Sequence, residues 1–371
     1  MLAYIVRRLL LIIPTLFGII LLNFAIVQFA PGGPVEQMIA QIQGTAVDAT
    51  SRVSGGLGDG GQQGIDRLGG DTTTSFESKY RGARGLPPEF IAELEQLVGF
   101  DKPAHERFFL MLTNYIQFDF GNSFFQDRPV IDLILEKLPV SITIGLWTTL
   151  FLYGISIPLG IAKAVRDGTR FDAWTSVVVI AGNALPSFML AILGIQLFAS
   201  GNFVDWLPLR GLTSDNFAEL SLLGKIGDYL MHIALPVGAL VIGGYAALTM
   251  LTKNSFLDQI SQQYVVTARA KGLEQRRVLY GHVFRNAMLI VISGFPAAFL
   301  SILFGGALLI EIIFSLDGLS LLGFEAVLNR DYPIVFGTLY IFGLMGLVIK
   351  LITDVTYVLV DPRIDFESRE V

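Results

Sequence analysis

Cysteine is absent from all 371 residues, which excludes disulfide staples and any thiolate-ligated zinc or iron–sulfur site on this chain. Charge is scarce: Asp, Glu, Lys and Arg make up 16%, against about one quarter in soluble domains. Histidine occurs at His105, His232 and His282 alone, too scattered to supply the convergent ligands a metal needs. None of the eight lysines is followed by Ser or Thr, so the Gly-Lys-Ser/Thr loop that cradles phosphate is missing. What remains is apolar. The chain is 53% hydrophobic with a mean hydropathy of +0.61, the composition of a membrane protein.

A helix crossing the hydrocarbon needs about 20 consecutive apolar residues. Six windows qualify: Leu9 to Ala30, Pro139 to Ala162, Trp174 to Ser200, Ile233 to Thr252, Ala287 to Ile310, and Pro333 to Val360. The first five hold no Asp, Glu, Lys, Arg or His. The sixth carries Lys350 and Asp354 near its end, spaced for an i, i+4 pair at the interface. The first run is longer than the about 7 to 15 residues of a signal h-region and lacks a small-residue exit, so it is expected to be an uncleaved anchor over residues 1–30.

Lys and Arg in short loops set the sides. With the N-terminus inside, the loop holding Lys163, Arg166 and Arg170 and the loop over 253–286 face the cytoplasm, with a short cytoplasmic tail at 361–371. Residues 31–138 then form an external insert. This insert carries nine Lys/Arg against fifteen Asp/Glu, so the whole net charge of −6 resides there. Its Gly-rich part, 44–85, reads as a flexible excursion, because GGLGDGGQQG has no strand before it and can bury little. Beyond it, PPEFIAELEQLVGF regains helical spacing and predicts a small helical cap. The expected class is an all-α polytopic membrane protein, with five helices of a core at 139–360 following the anchor and insert.

One cytoplasmic stretch is unusually basic: YVVTARAKGLEQRRVLYGHVFRNA, Tyr264 to Ala287. The positive-inside rule accounts for its cations but not for their order. Tyr264 to Lys271 is a helix-forming octet, Gly272 permits a break at positive φ, and Glu274 suits the start of a second helix. Such an elbow would be apolar through Val265, Ala268, Val278 and Val283 and basic on its other side, shaped for a groove in a protein.

Those residues resemble the cytoplasmic loop of binding-protein-dependent ABC importer permeases of the oligopeptide/dipeptide branch, which reads TARAKG with a HxxRNA-type ending. Thr267 to Gly272, His282, Arg285, Asn286 and Ala287 match, while Val266 stands where the general pattern has Glu and Arg285-Asn286 where it has Leu-Pro. PGGP at 31–34, FDFGNSF at 118–124, LPVSITIGL at 138–146, SIPLGI at 156–161, LIEIIFSLDGLSLLG at 309–323, RDYPIVFG at 330–337 and YVLVDPRI at 357–364 are similar to the same family. The long outer segment and the LTKNSFLDQISQQYVVTARAKG run resemble its Yej-type subgroup, associated with oligopeptides and microcin C.

The resemblance implies a six-helix type I importer permease in a bacterial inner membrane that is not itself an enzyme. A second, homologous permease would pair with it, an ATPase holding ATP and Mg would act from the cytoplasm, and a periplasmic solute-binding protein would deliver substrate. It further implies that Tyr264, Thr267, Ala268, Arg269, Ala270, Lys271, Gly272, His282, Arg285 and Asn286 couple the chain to the ATPase. Asn183 with Pro186 breaks the third window, and Gly243-Gly244, Gly294 with Pro296, and Gly305-Gly306 punctuate the next two; close packing or bending of a pore are both open readings. Glu311, Phe314, Ser315 and Gly318, in an element the family places at the outer mouth, are candidates for a gate, with Asp317 where relatives often have Pro; solvation or pairing of Glu311 at the interface is the plainer alternative. An ion-coupled secondary transporter is the rival class, and it needs ionisable residues at mid-membrane depth that the first five windows lack.

Overall fold

Proline and glycine decide where the long apolar runs stay straight and where they turn. The structure is a computed structural model that describes residues 2–29, 87, 89, 102–200, 204–303 and 307–360. The Gly-rich excursion, most of the PPEFIAELEQLVGF segment, Gly305-Gly306 and the C-terminal tail lie outside the described residues. Among those described, the elements are helical and the only extended pairing is an isolated bridge between Asn122 and Pro129.

The first helix, α1, spans Leu2–Phe29, followed in the described chain by α2, Ala104–Ile116, and α3, Val130–Val165. Pro139 and Pro158 sit inside α3 without ending it. The third apolar window is broken at Pro186, as the sequence suggests. It forms α4, Arg170–Ala184, and α5, Ser187–Phe198, which meet at 94°. The cause is local: Pro186 has no N–H to continue the helix and drives the preceding residue into the extended region, where Leu185 lies at φ −99 and ψ 130. Among the described residues, five helices qualify as spans by length and apolarity, and six if the bent pair is one of them.

Helix α6, Leu222–Ile260, runs unbroken through Gly243 and Gly244. These glycines allow close approach rather than a break, since a Cβ on Gly243 would lie 3.1 Å from Ser187. After α6 come α7, Gln263–Ala270, the single turn α8, Gln275–Val278, a π turn over Leu279–Val283, and α9, Phe284–Ser301. In the fifth window α9 ends at Ser301, Ile302 and Leu303 continue as a π turn, and α10 spans Leu308–Ile313, with 304–306 outside the described residues. Then follow α11, Leu319–Asn329, and α12, Tyr332–Val360.

The chain divides into two compact units. One comprises the described residues of Met1–Ile12, Glu136–Leu321 and Leu344–Val371. Within it α3 and α6 touch backbone to backbone at Gly160, where an added Cβ would meet the Thr252 Cβ at 2.6 Å and the Thr249 carbonyl at 2.8 Å. Small residues permit such contacts, and packing replaces the hydrophobic effect as the cement between membrane helices. Ser156 donates to the Tyr245 carbonyl at 3.1 Å, and the Tyr245 hydroxyl reaches on to the Val178 carbonyl of α4 at 3.0 Å. Lys163, counted above as a loop cation, is fully buried in the last turn of α3 and paired with Asp172 at 2.9 Å. Asp354 also differs from expectation: Arg8 of α1 holds it at 3.1 Å, in place of the i, i+4 pairing with Lys350.

The other unit comprises the described residues of Ile13–Leu135 and Leu322–Gly343. Tyr115, Phe118, Phe120 and Tyr340 pack together, four of the ring pairs edge-on and Phe120–Tyr340 tilted, with ring centroids 5.0 to 6.4 Å apart. Asp331, buried ahead of α12, accepts the Ser123 hydroxyl at 2.5 Å and the Phe124 amide at 3.4 Å. FDFGNSF and RDYPIVFG thus form one joint, and burial pushes the Asp331 carboxyl up against the opposing pull of these donors.

Gly160→Ala is expected to lower thermal stability in detergent by about 1–3 kcal/mol through overpacking against Thr249 and Thr252, whereas Gly154→Ala, which faces open space, serves as the neutral comparison. Equal melting temperatures for the two variants would show that the α3–α6 crossing tolerates a methyl group.

Candidate functional site

The basic elbow forms as its sequence predicts. Gly272 adopts φ +80, a left-handed conformation that an L side chain rarely takes, and this reverses the chain after α7. Leu273 N then bonds the Ala268 carbonyl at 3.3 Å and Gly272 N the Arg269 carbonyl at 2.9 Å, closing the end of the helix. Val265, Ala268, Val278 and Val283 are all buried, in a cluster with Leu152 and Ile161 of α3, Leu248 and Phe256 of α6, and Ala287, Met288 and Val291 of α9. Thr267, Arg269, Ala270, Lys271, Gly272, His282, Arg285 and Asn286 are exposed. Tyr264 is half-buried and donates to Gln259 Oε1 at 2.9 Å.

Both ends of the elbow are clamped. Ser255 of α6 donates to the Ala287 carbonyl of α9 at 2.7 Å, joining the helix that enters the loop to the one that leaves it. A buried apolar floor with a hydrogen-bonded clasp leaves the elbow few independent ways to move. The π turn falls between the two, and such turns place an extra residue where a helix must change register.

The second constellation gathers around Glu311, which is fully buried in α10. Its carboxylate accepts the Ser141 hydroxyl of α3 at 3.2 Å and the Leu321 amide at 2.8 Å, while Ser141 itself accepts the Leu319 amide at 2.7 Å. Side chains outside α11 thereby satisfy amides that its first turn leaves without intrahelical partners. Gly318 is required by this arrangement, since a Cβ there would stand 2.3 Å from Glu311 Oε1. Ser315 reverses the chain at φ +52, letting Phe314, Leu316 and Leu319 all point inward. Asp317 is taken by the Lys137 ammonium, which also holds Glu136 at 3.0 Å. Burial pushes the Glu311 carboxyl above the ordinary carboxylate range, opposed by these hydrogen bonds.

With both constellations in place, comparison with known proteins decides the class. Residues 156–366 match the family described as "binding-protein-dependent transport system inner membrane component". The chain belongs to this family. It is 60% identical over 371 residues to the peptidoglycan transport system permease protein YejB of Agrobacterium fabrum, covering 100% of both chains. It is 58% identical to the inner membrane ABC transporter permease protein YejB of Escherichia coli O157:H7, over 99% of this chain and 100% of that one. The oligopeptide transport system permease protein AppB of Bacillus subtilis is 31% identical, over 99% and 100%. The solved methionine ABC transporter MetNI aligns with 62% of this chain and 97% of that chain, at a TM-score of 0.45 and 13% identity. The protein is thus an inner-membrane permease subunit of an ABC transport system.

Within the permease, the residues expected to couple to an ATPase come together on one elbow, with one exception of orientation. Ala268 faces the buried floor, so its small side chain serves packing. Asn183 and Pro186 are exposed at the bend between α4 and α5. Of the outer-mouth candidates, Glu311, Phe314 and Gly318 sit within the fold around the turn at Ser315, with Glu311 and Phe314 fully enclosed. Sequence reasoning missed Ser141 as the Glu311 partner and Lys137 as the partner of Asp317. The available signal was that LPVSITIGL and LIEIIFSLDGLSLLG both carry polar residues inside apolar text.

Because the folded carboxyl of Glu311 titrates above its unfolded value, its contribution to stability is greatest below the unfolded carboxylate range and is lost as pH rises through the folded value. The melting-temperature advantage of wild type over Glu311→Gln is therefore expected to shrink from acid to neutral pH. An advantage that grows with pH would reverse the assignment. Gly318→Ala is expected to cost about 1–3 kcal/mol by displacing a hydrogen-bonded buried carboxylate, read as a lower melting temperature at fixed pH.

Proposed function

We propose that this permease forms half of the translocation pore of an ATP-driven importer for oligopeptides or peptide-like compounds, and that the elbow at 264–286 is its contact with the ATPase. The second half of the pore is a homologous permease, paired as a heterodimer, and a periplasmic binding protein hands substrate to the outer mouth. Residues 31–138 are the external insert, and both ends of the chain are cytoplasmic. The peptide class rests on relatives whose names specify peptidoglycan or oligopeptide transport. The Yej-type likeness extends the substrate range to peptide nucleotides such as microcin C.

The observation that carries the coupling role is the division of the elbow into two faces. Val265, Ala268, Val278 and Val283 fix it to the spans, while Arg269, Lys271, Arg276, Arg277 and Arg285 are exposed. A rigid cationic knob transmits displacement to the helices it stands on, whereas a loop without a floor would absorb it. The chain lacks a phosphate-binding lysine motif, so the energy enters through a partner. At the outer mouth, the Glu311-centred turn holds the start of α11 in place and acts as the gate element, with Phe314 and Leu316 as its apolar seal.

Paired Arg269→Glu and Lys271→Glu changes, and separately Gly272→Pro, are expected to leave the protein inserted and assembled while ATP hydrolysis continues and uptake of radiolabelled tri-alanine falls by about tenfold or more, the range set by a coupling free energy of about 1–3 kcal/mol. Wild-type uptake by both variants would remove the elbow from the mechanism.

A further inference from the structure

We infer that Asp172 and Lys253 are positioning residues for transport, forming the ionic joint through which movement of the elbow reaches the bent helix pair α4/α5. The inference rests on the coupling role proposed for the elbow and adds the path by which its displacement leaves it. Lys253 lies on α6, the helix that runs directly into the elbow, and Asp172 lies in the first turn of α4. The Lys253 ammonium bridges two carboxylates, Asp172 Oδ2 at 2.7 Å and Asp167 Oδ1 at 2.8 Å.

The two lysines that meet Asp172 differ in what they can give up. Lys163 has no solvent exposure, and its ammonium already reaches Asp172 Oδ1 at 2.9 Å, the Asp172 carbonyl at 2.9 Å, Thr175 Oγ1 at 3.0 Å and Ser176 Oγ at 2.7 Å. That contact pins α4 to the end of α3, since breaking it would strand a buried charge without a partner. Lys253 is 13% exposed and its other partner, Asp167, is 51% exposed. It can shift its weight from Asp172 to Asp167 without leaving any group unneutralised, because Lys163 continues to balance Asp172.

A cation held at once by a buried and a half-solvated carboxylate can loosen one contact while keeping the other, which suits an element that transmits movement. The neighbouring contacts hold the helices on either side of this joint. Gly160 against Thr252 fixes the α3–α6 crossing, and Tyr245 reaches α4 at Val178, with its hydroxyl 2.8 Å from where a Cβ on Gly182 would be. With Thr252 held against Gly160, movement of the elbow turns α6 about that crossing, and the Lys253 ammonium passes the rotation to the first turn of α4. From there it reaches the 94° bend at Leu185 and Pro186.

The test uses the complete importer with its ATPase, second permease and binding protein in proteoliposomes, reading tri-alanine uptake and ATP hydrolysis together. Lys253→Met is expected to assemble and to hydrolyse ATP within about twofold of wild type while uptake per ATP falls about tenfold, within the range for residues that carry coupling. Lys253→Arg is expected to restore the ratio, because a guanidinium can bridge both carboxylates. Asp167→Asn, at a more exposed site, is expected to lower the ratio in the same direction by a smaller factor. A wild-type ratio in Lys253→Met and Asp167→Asn, or uptake and hydrolysis falling in parallel with no rescue by Lys253→Arg, would overturn the joint. The Arg269→Glu, Lys271→Glu variant in the same assay separates the two ideas: if it alone keeps the wild-type ratio, the elbow reading fails while the ionic path between α6 and α4 stands.

Discussion

Lys163 carries its charge where no solvent reaches it, and the first turn of α4 is arranged to satisfy it. A lone ammonium in that position would cost several kcal/mol, and it persists only because Asp172, Thr175 and Ser176 converge on it. That convergence sets where α4 begins, with Thr169 as its N-cap accepting the Asp172 amide. From this start α4 advances to the proline bend, so one buried ion pair fixes the position of an element that sequence composition alone would treat as an ordinary span.

The same economy appears around Glu311. A carboxylate in an apolar setting is expensive, but here it satisfies amides that the first turn of α11 cannot satisfy within the helix. Gly318 has no side chain because the carboxylate occupies that space. In the separate unit around Asp331 the pattern repeats: a buried carboxylate takes the Ser123 hydroxyl and the Phe124 amide and ties a segment near residue 120 to the start of α12. Buried carboxylates at the beginnings of helices are therefore the recurrent device that fixes irregular backbone in this protein, where every polar backbone group needs an internal partner.

Much of this was legible beforehand. The apolar windows located the long helices, Gly272 marked the turn, and the alternation of Val265, Ala268, Val278 and Val283 with the cations distinguished the buried face of the elbow from the exposed one. Pro186 signalled an interruption, yet periodicity carries no angle, and the 94° bend emerges only from the two extended residues at Leu185 and Pro186. Charge partners were the least legible. Asp354 sits four residues from Lys350, which favours a local pair, but Arg8 from the far end of the chain competes successfully for it. Lys163 reads in sequence as one of three cations of a short cytoplasmic loop, whereas in the structure it is buried against Asp172. Pairing across hundreds of residues depends on which helices become neighbours, and no local pattern encodes that.

The distribution of rigid and breakable contacts bears on how a permease of this family can switch without unfolding. Backbone contact at Gly160, the clasp from Ser255 to Ala287, and the buried floor of the elbow are contacts whose loss would open cavities or strand polar groups. Together they tie α3, α6, the elbow and α9 to one another through contacts that resist separation. The interruption of helix at Leu185–Pro186 lies beside them, where dihedral changes cost little because no intrahelical hydrogen bond spans Pro186. A transporter that must alternate between two openings needs this contrast, since force applied to a uniformly soft bundle is dissipated and a uniformly stiff one has no second state. The shared ammonium of Lys253 lies between the two regimes, held by a fixed carboxylate on one side and a half-solvated one on the other.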